Sequence, residues 1–177
     1  MTKALFLDRD GIINVDKKYV HKKDEFEFTD GIFEFCKYFM DNGFLIFVIT
    51  NQAGIGRGYY TDNDFLTLTE WMKGEFKQNN IFIKDVYHCP HHSEKGIGKY
   101  KIDCNCRKPK PGMILSIADK YRIDLNYSIL VGDKKSDIEA GIRAKIKNNF
   151  LIKSEYQNEY DFKTIKDLLD HLKEIKI

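Results

Sequence analysis

Several features that would indicate a membrane, secreted or nucleic-acid-binding protein are missing from this sequence. Its 177 residues contain no run of about 18 apolar residues, the length that a transmembrane helix needs. The apolar segment that begins the sequence ends at the charged residue Asp8, too early for a signal peptide, so we expect a cytosolic protein. Lys and Arg number 29 against 27 Asp and Glu, and a net charge of +2 is too small for a dedicated nucleic-acid binder.

Linker and low-complexity segments are missing as well, and the composition is that of a folded domain. Only three prolines occur, whereas 42% of the residues are hydrophobic and 14% are aromatic, which excludes an intrinsically disordered chain. A chain of this size buries roughly 70% of the surface that its unfolded form exposes. We therefore expect one monomeric domain over residues 1–177 that needs no disulfide scaffold.

Apolar runs alternate with helical periods along the chain. Continuous apolar runs are typical of strands that are buried on both faces of a parallel sheet. Apolar residues spaced three and four apart predict helices between these runs. The predicted strands cover residues 3–7, 44–49, 81–87, 128–131 and 149–152. This alternation predicts an α/β fold of the Rossmann-like kind, with a central parallel sheet and helices on both faces.

Side chains with capping oxygens predict where some of the helices begin. Thr61 or Asp62 would cap the helix that follows the second strand. Ser136 and Glu139 have the spacing of a capping box and predict the start of the helix after the fourth strand. Asp161 would cap the last helix.

Polar residues follow three of the predicted strands at the point where each strand ends. Asp8 and Asp10 follow the first strand, Thr50 follows the second, and Asp133 follows the fourth. In parallel sheets ligands bind beyond the carboxyl ends of the strands, so we expect these residues to meet at one edge. A carboxylate can attack a phosphoryl group, and Mg²⁺ held by carboxylates screens the repulsion between the two anions. The pattern therefore predicts magnesium-dependent phosphoryl transfer.

Three of the four cysteines lie in one loop, at about residues 89–108. Cys89, Cys104 and Cys106 form a C-x-H…C-x-C pattern with a histidine, either His91 or His92. Three thiolates and one imidazole suit a tetrahedral Zn²⁺ without an open position, which is a structural site. We expect Zn²⁺ to hold the two ends of this loop together. Cys36 lies on the apolar face of a predicted helix, where we expect a core residue.

Four segments in this order resemble the motifs of the haloacid dehalogenase superfamily of phosphatases. The first is the DRDGIIN segment at residues 8–14, and the second is Thr50 with the Asn-Gln pair that follows it. Lys108, within the sequence CRKP, is similar to the lysine of the third motif, and the GDKKSD segment at residues 132–137 resembles the fourth. No large insertion separates the motifs, so the resemblance implies a capless member with a zinc-binding loop.

The resemblance implies a role for each residue that matches a motif. Asp8 would be the nucleophile, and Asp10 would be the general acid and then the base that activates water. Mg²⁺ would bind Asp8, the backbone carbonyl of Asp10, and Asp133. Thr50 and Lys108 would stabilise the phosphoryl group. Within the zinc site the family pattern favours His91 over His92.

The substrate implied by the resemblance is a small sugar bisphosphate. The loops around the first two motifs resemble those of phosphatases that act at C7 of heptose 1,7-bisphosphate, in lipopolysaccharide precursor synthesis. Seven residues would bind this substrate: Asp16, Tyr19, Asn51, Gln52, Arg57, Arg107 and Lys134. The alternative substrate is histidinol phosphate, which Arg57 and the segment from Tyr19 to His21 disfavour. Two less favoured functions are a non-catalytic module that binds a phosphorylated ligand and a nucleic-acid 3′-end phosphatase.

Overall fold

The fold is built on one sheet of five parallel strands, in a computed structural model that describes residues 2–175. The strands stand in the order β3-β2-β1-β4-β5, so the first strand is central. They are β1 (Lys3–Leu7), β2 (Phe44–Asn51), β3 (Ile83–Cys89), β4 (Ile129–Gly132) and β5 (Asn148–Leu151). The helices are α1 (Ile32–Asp41), α2 (Ala53–Gly56), α3 (Asp62–Gln78), α4 (Gly112–Tyr121), α5 (Lys135–Arg143) and α6 (Ile165–Glu174).

Helices cover both faces of the sheet, because successive side chains of a strand point to opposite sides. Leu5 and Leu7 of β1 belong to one apolar core, which they share with buried residues of α1, α3 and α6. Ala4 and Phe6 belong to a second core, which they share with α4 and α5. Cys36 is fully buried in the first core, as expected for a small apolar residue. The α/β fold with helices on both faces is thereby confirmed.

Some predicted boundaries were wrong, and the structure shows why. The third strand begins at Ile83 and extends to Cys89, so the first zinc-ligand candidate ends a strand. Ser136 and Glu139 do not form a capping box, because α5 begins at Lys135. At this helix start the Asp137 carboxylate accepts a hydrogen bond from the backbone N–H of Lys134 at 3.0 Å.

The start of the last helix also differs from the prediction. Thr164 caps α6, since its hydroxyl accepts a hydrogen bond from the backbone N–H of Asp167 at 3.1 Å. Asp161 accepts a hydrogen bond from the backbone N–H of Leu151 at 2.8 Å instead. Thr61 caps α3 as predicted. Within residues 2–175, no helix combines the length and the apolar character needed to cross a membrane.

The chain reverses its direction of winding at the central strand. It moves from β1 to β2 and β3 on one side, then returns to place β4 against the other side of β1. Such a switch point leaves a crevice at the carboxyl ends of the strands. Gly11 lets the loop after β1 approach this crevice closely, because a Cβ there would lie 2.3 Å from Asp133 Oδ2. Its φ of +93° also favours glycine.

Candidate active site

A buried lysine joins two carboxylates at the carboxyl ends of β1 and β4. Lys108 Nζ donates to Asp8 Oδ1 at 2.8 Å and to the carbonyl oxygen of Ile49 at 2.8 Å. It also forms an ion pair with Asp137 Oδ1 at 2.7 Å. Burial alone would lower the pKa of Lys108, but the charges of Asp137 and Asp8 outweigh it and raise the pKa. Lys108 is therefore a fixed positive charge beside Asp8.

Asp133 faces the same crevice with both carboxylate oxygens lacking a hydrogen-bond partner, although they are buried. Burial raises the pKa of Asp133 to about 8, and the negative charge of Asp8 adds to the shift. Burial likewise raises the pKa of Asp8, and the charge of Lys108 only partly opposes this. Carboxylate oxygens of Asp8, Asp133 and Asp137 lie within 4.8 Å of one another. Lys134 Nζ lies 3.6 Å from Asp133 Oδ1, so one lysine faces this carboxylate without a hydrogen bond. Buried oxygens that lack a hydrogen-bond donor and lie beside other carboxylates fit a hard cation such as Mg²⁺, which prefers oxygen ligands.

Asp10 lies outside that carboxylate cluster and is held by three donors. Arg9 Nη2 donates to both of its oxygens, at 2.9 and 3.0 Å. Asn14 Nδ2 donates to Asp10 Oδ1 at 3.1 Å, and Gln52 Nε2 donates to Asp10 Oδ2 at 3.0 Å. Arg9 itself is only 1% exposed, so its contact with Asp10 is shielded from water. The carboxylate two residues after Asp8 is thus fixed in position.

Gln52 connects Asp10 with the second motif and with the loop after α2. Its Nε2 also donates to the hydroxyl of Thr50 at 2.8 Å, and Thr50 is buried. Its Oε1 accepts a short hydrogen bond from the hydroxyl of Tyr60. Both polar atoms of the Gln52 amide are therefore used, and this sets the orientation in which Nε2 faces Asp10.

Replacing Tyr60 by Phe should lower the free energy of unfolding by about 1 to 3 kcal/mol. The change leaves Gln52 Oε1 buried without a donor, and an unsatisfied buried acceptor costs about that much. Denaturant unfolding of the purified variant measures the difference. Tyr127→Phe is the matched control, since Tyr127 is 62% exposed and the same loss of a hydroxyl should change stability little. Equal stability of both variants would contradict the buried network.

Two hydrogen bonds between the Asn51 side chain and the Lys108 backbone join the second and third motifs. Asn51 Nδ2 donates to the carbonyl oxygen of Lys108 at 3.0 Å, and the backbone N–H of Lys108 donates to Asn51 Oδ1 at 3.0 Å. The Asn51 side chain thus works as a clamp on the lysine loop.

The structure brings all seven predicted substrate residues to the wall of one cavity of about 600 Å³: Asp16, Tyr19, Asn51, Gln52, Arg57, Arg107 and Lys134. Asp10 and Lys108 line it too.

The three clustered cysteines and His91 come together beside this cavity. Cys89 Sγ lies 3.5 Å from Cys104 Sγ and 3.1 Å from Cys106 Sγ. His91 Nδ1 lies 3.6 Å from Cys89 Sγ and 3.4 Å from Cys106 Sγ. A tetrahedral ion with metal–sulfur bonds of about 2.3 Å separates its ligands by roughly 3.8 Å, close to this spacing. The donor set therefore fits Zn²⁺.

His92 does not belong to this group. Its Nδ1 accepts hydrogen bonds from the backbone N–H groups of Glu94 and Lys95, at 3.3 and 3.2 Å. Burial and the positive charges of Arg107 and Arg57 lower the pKa of His92. His91, in contrast, also fixes the cavity wall, because its carbonyl oxygen accepts from Arg107 Nη1 at 3.2 Å.

Four residues of the site were not predicted from the sequence. Asp137 ends the fourth motif, and its place four residues after Asp133 is a signal for a second carboxylate. Arg9 lies between the two aspartates of the first motif, where a buried arginine needs an acid. Tyr60 and Tyr156 give no local signal, since each reaches the site through the tertiary fold.

Comparisons with known proteins identify the family of this chain. Residues 105–174 match the HAD-hydrolase-like family model. The chain is 48% identical over 177 residues to the D-glycero-alpha-D-manno-heptose-1,7-bisphosphate 7-phosphatase of Campylobacter jejuni, covering 98% of this chain and 97% of the relative. It is 47% identical over 154 residues to the beta-named 7-phosphatase of Haemophilus influenzae, covering 87% of this chain and 83% of the relative.

Solved structures show the same fold. A HAD-like protein of Mesorhizobium loti superposes with a TM-score of 0.87 at 31% identity, over 98% of this chain and 87% of that one. The D,D-heptose 1,7-bisphosphate phosphatase of B. bronchiseptica, a complex with magnesium and phosphate, has a TM-score of 0.80 at 24% identity. That likeness covers 98% of this chain and 99% of the other.

Proposed function

This chain belongs to the family of HAD-like hydrolases that includes the heptose-1,7-bisphosphate 7-phosphatases, and we propose that it removes the C7 phosphate of D-glycero-D-manno-heptose 1,7-bisphosphate. The observation that carries this proposal is the buried group of Asp8, Lys108 and Asp137 beside the Asp133 oxygens, which accept no hydrogen bond. It supplies a nucleophile, a fixed cation and an oxygen-rich metal site at one point.

The proposed reaction has two steps, which transfer the phosphoryl group first from the sugar to Asp8 and then from Asp8 to water. In the first, a carboxylate oxygen of Asp8 attacks phosphorus and the bond to the sugar oxygen breaks, while Asp10 gives its proton to that oxygen. In the second, Asp10 takes a proton from water, the water oxygen attacks phosphorus, and Asp8 is released with inorganic phosphate. Lys108 and Thr50 stabilise the charge on the phosphoryl oxygens.

The metal sites complete this proposal. Asp8, Asp133 and the backbone carbonyl of Asp10 would hold Mg²⁺, which supplies the positive charge that lets two anions meet. The neighbouring carboxylate of Asp137 keeps Lys108 in place by its ion pair at 2.7 Å. Cys89, His91, Cys104 and Cys106 would hold a structural Zn²⁺, which orders the loop that carries Arg107.

The cations of the cavity favour a bisphosphate over a monophosphate. Arg57, Arg107 and Lys134 line the same cavity as Lys108, which contacts Asp8. A sugar whose C7 phosphate reaches Asp8 would therefore have three cations available for its second phosphate. Charge-assisted hydrogen bonds of this kind are stronger than neutral ones, and a guanidinium can bind phosphate through two donors. Tyr19 fixes Arg57 in this position, because its hydroxyl accepts from Arg57 Nη1 at 2.7 Å.

Phosphate release, measured with Mg²⁺ and with EDTA, tests the function directly. The substrates are both anomers of heptose 1,7-bisphosphate and histidinol phosphate, assayed in parallel. We expect magnesium-dependent turnover of a heptose bisphosphate, and the preferred anomer decides between the alpha and beta types named for the relatives. Turnover of histidinol phosphate alone would keep the chemistry and overturn the substrate.

Replacing Arg107 by Gln should raise the KM for heptose bisphosphate about tenfold or more and change kcat little. The reason is that a charge-assisted hydrogen bond to the second phosphate is worth about 1.5 to 3 kcal/mol. Steady-state kinetics on the preferred anomer measures the effect. Arg122→Gln is the matched control, since Arg122 is exposed and does not line this cavity. An unchanged KM in the Arg107 variant would remove this residue from the substrate site.

A further inference from the structure

A turn near the end of the chain is fastened to the loop that carries Asp133. Ser154 Oγ donates to the carbonyl oxygen of Asp133 at 2.6 Å, and Gln157 Nε2 donates to the same oxygen at 2.7 Å. Ser154 and Gln157 also form a backbone bridge with each other. This turn, from Ser154 to Gln157, therefore has a fixed position relative to the site, and Tyr156 lies inside it.

Tyr156 reaches from the turn to two residues of the substrate site. Its hydroxyl donates to Asp16 Oδ2 at 2.7 Å, and its ring lies under Lys134, whose Nζ is 4.4 Å from the ring centroid. Lys134 Nζ is also 3.2 Å from the same Asp16 oxygen. Tyr156 lines the cavity and is 45% exposed, so its ring forms part of the cavity surface.

These contacts restrict the side chains of Asp16 and Lys134. A lysine side chain has many rotamers, and a ligand that binds its ammonium group must overcome the entropy of fixing one of them. The aromatic face under Nζ and the Asp16 carboxylate beside it reduce that entropy before any ligand binds. Asp16 Oδ2 thus accepts from both Tyr156 and Lys134, and Lys134 Nζ also lies 3.6 Å from Asp133 Oδ1. An ammonium group has three donors, so Lys134 can still donate to a phosphate from this fixed position.

We propose that Tyr156 is a positioning residue that sets the preference for a bisphosphate, by fixing Lys134 and Asp16 where the part of the substrate beyond the reacting phosphate binds. This inference rests on the proposed function and adds to it a residue from the last part of the chain. The contacts of Tyr156 are with Asp16 and Lys134, and only Lys134 reaches the catalytic group, through its ion pair with Asp133 at 3.6 Å, so we expect loss of Tyr156 to act mainly on substrate binding.

The experiment compares Tyr156→Phe and Tyr156→Ala on two substrates, heptose 1,7-bisphosphate and p-nitrophenyl phosphate. The second substrate carries one phosphate and nothing that reaches Lys134. The Phe variant loses the hydrogen bond to Asp16 and keeps the ring, so KM for the bisphosphate should rise about fivefold. The Ala variant loses the ring as well, so KM should rise about twentyfold or more. In both variants kcat for the bisphosphate should change less than twofold. The kcat/KM for the bisphosphate, divided by the kcat/KM for p-nitrophenyl phosphate, should fall by the factor by which KM for the bisphosphate rises.

Tyr160→Phe is the matched control, because Tyr160 follows the same turn and does not line this cavity. Its substrate ratio should equal that of the wild type. Equal losses on both substrates, or an unchanged ratio in both Tyr156 variants, would overturn the inference.

The two substrates also distinguish a failure of the proposed function from a failure of the role of Tyr156. If the wild type hydrolyses p-nitrophenyl phosphate and leaves the bisphosphate intact, the proposed substrate is wrong. The inhibition constant of the bisphosphate against p-nitrophenyl phosphate turnover then tests Tyr156, since it should weaken by the same factors in the variants. An unchanged constant would contradict the role of Tyr156. A wild type without either activity would contradict the proposed function and this inference with it.

Discussion

Asp8→Asn should lower kcat by roughly four orders of magnitude or more, which is the typical cost of losing a covalent nucleophile. The amide nitrogen and oxygen of asparagine cannot form the phosphorylated intermediate that the aspartate carboxylate forms. We expect no other carboxylate of the site to replace it, because Asp133 would be occupied by Mg²⁺, Asp137 is paired with Lys108, and Asp10 is held by Arg9. Phosphate release with Mg²⁺ at saturating substrate measures the loss.

The variant should stay folded, which separates chemistry from stability. An amide has nearly the shape of the carboxylate, and its oxygen can still accept from Lys108. Lys108 also keeps its ion pair with Asp137 and its hydrogen bond to Ile49. Removing one of three neighbouring carboxylates relieves the repulsion that, together with burial, raises the pKa of Asp133. Thermal unfolding should therefore show a Tm close to that of the wild type.

Mass spectrometry of acid-quenched enzyme adds an independent observation. During turnover the wild type should carry one phosphoryl group per chain on the peptide that contains Asp8, and Asp8→Asn should carry none. Asp119→Asn is the control, since Asp119 is exposed on α4 and the change should leave turnover as it is. Wild-type turnover by the Asp8 variant would contradict covalent catalysis at this residue.

Much of the fold could be predicted from local patterns. The apolar runs of β1 and β2 and the spacing of buried residues in α1 and α3 are local properties, and the structure confirms them. The parallel order of the strands then brings Asp8, Thr50 and Asp133 to one edge, since each follows or ends a strand of the same direction. Topology alone was enough to assemble these residues from positions far apart in the sequence.

The remaining parts of the site depend on contacts that no local pattern encodes. The role of Tyr60 follows from its contact with Gln52, and that of Tyr156 from a turn fastened to the Asp133 carbonyl. Two of the three predicted helix caps were wrong for a related reason. Several polar residues near a helix start have suitable oxygens, and only the backbone geometry decides that Thr164 caps α6 and Asp161 does not.

The loop of the proposed zinc site and the cavity proposed to bind substrate share one short segment, so zinc bound there would also affect the cavity. Cys106 directly precedes Arg107 and Lys108. Lys108 is held independently of the metal, through its contacts with Asp8, Asp137 and the Asn51 clamp. Arg107 has its hydrogen bond to the carbonyl of His91, which lies inside the loop. Loss of zinc should therefore affect Arg107 more than Lys108.

Cys104→Ser should reduce bound zinc from about one ion per chain to a small fraction and lower the free energy of unfolding by about 3 to 5 kcal/mol. A serine hydroxyl is a poor replacement for a thiolate ligand of Zn²⁺. The cluster closes the loop between Cys89 and Cys104 much as a cross-link does, and losing such a constraint costs this much. For a chain of this size, 1 kcal/mol corresponds to about 2 to 4 °C in Tm, so we expect a fall of roughly 10 °C.

Kinetics of the same variant tests the coupling to Arg107. Because Lys108 keeps its own contacts, KM for the bisphosphate should rise more than kcat falls, and added Mg²⁺ should not restore it. Cys36→Ala is the matched control, since it removes a buried thiol from the core and leaves the cluster intact. That variant should keep its zinc and its KM while losing about 1 kcal/mol of stability. A zinc-free Cys104 variant with wild-type Tm and KM would show that the loop orders itself without the metal, and the proposed zinc site would then have no structural role.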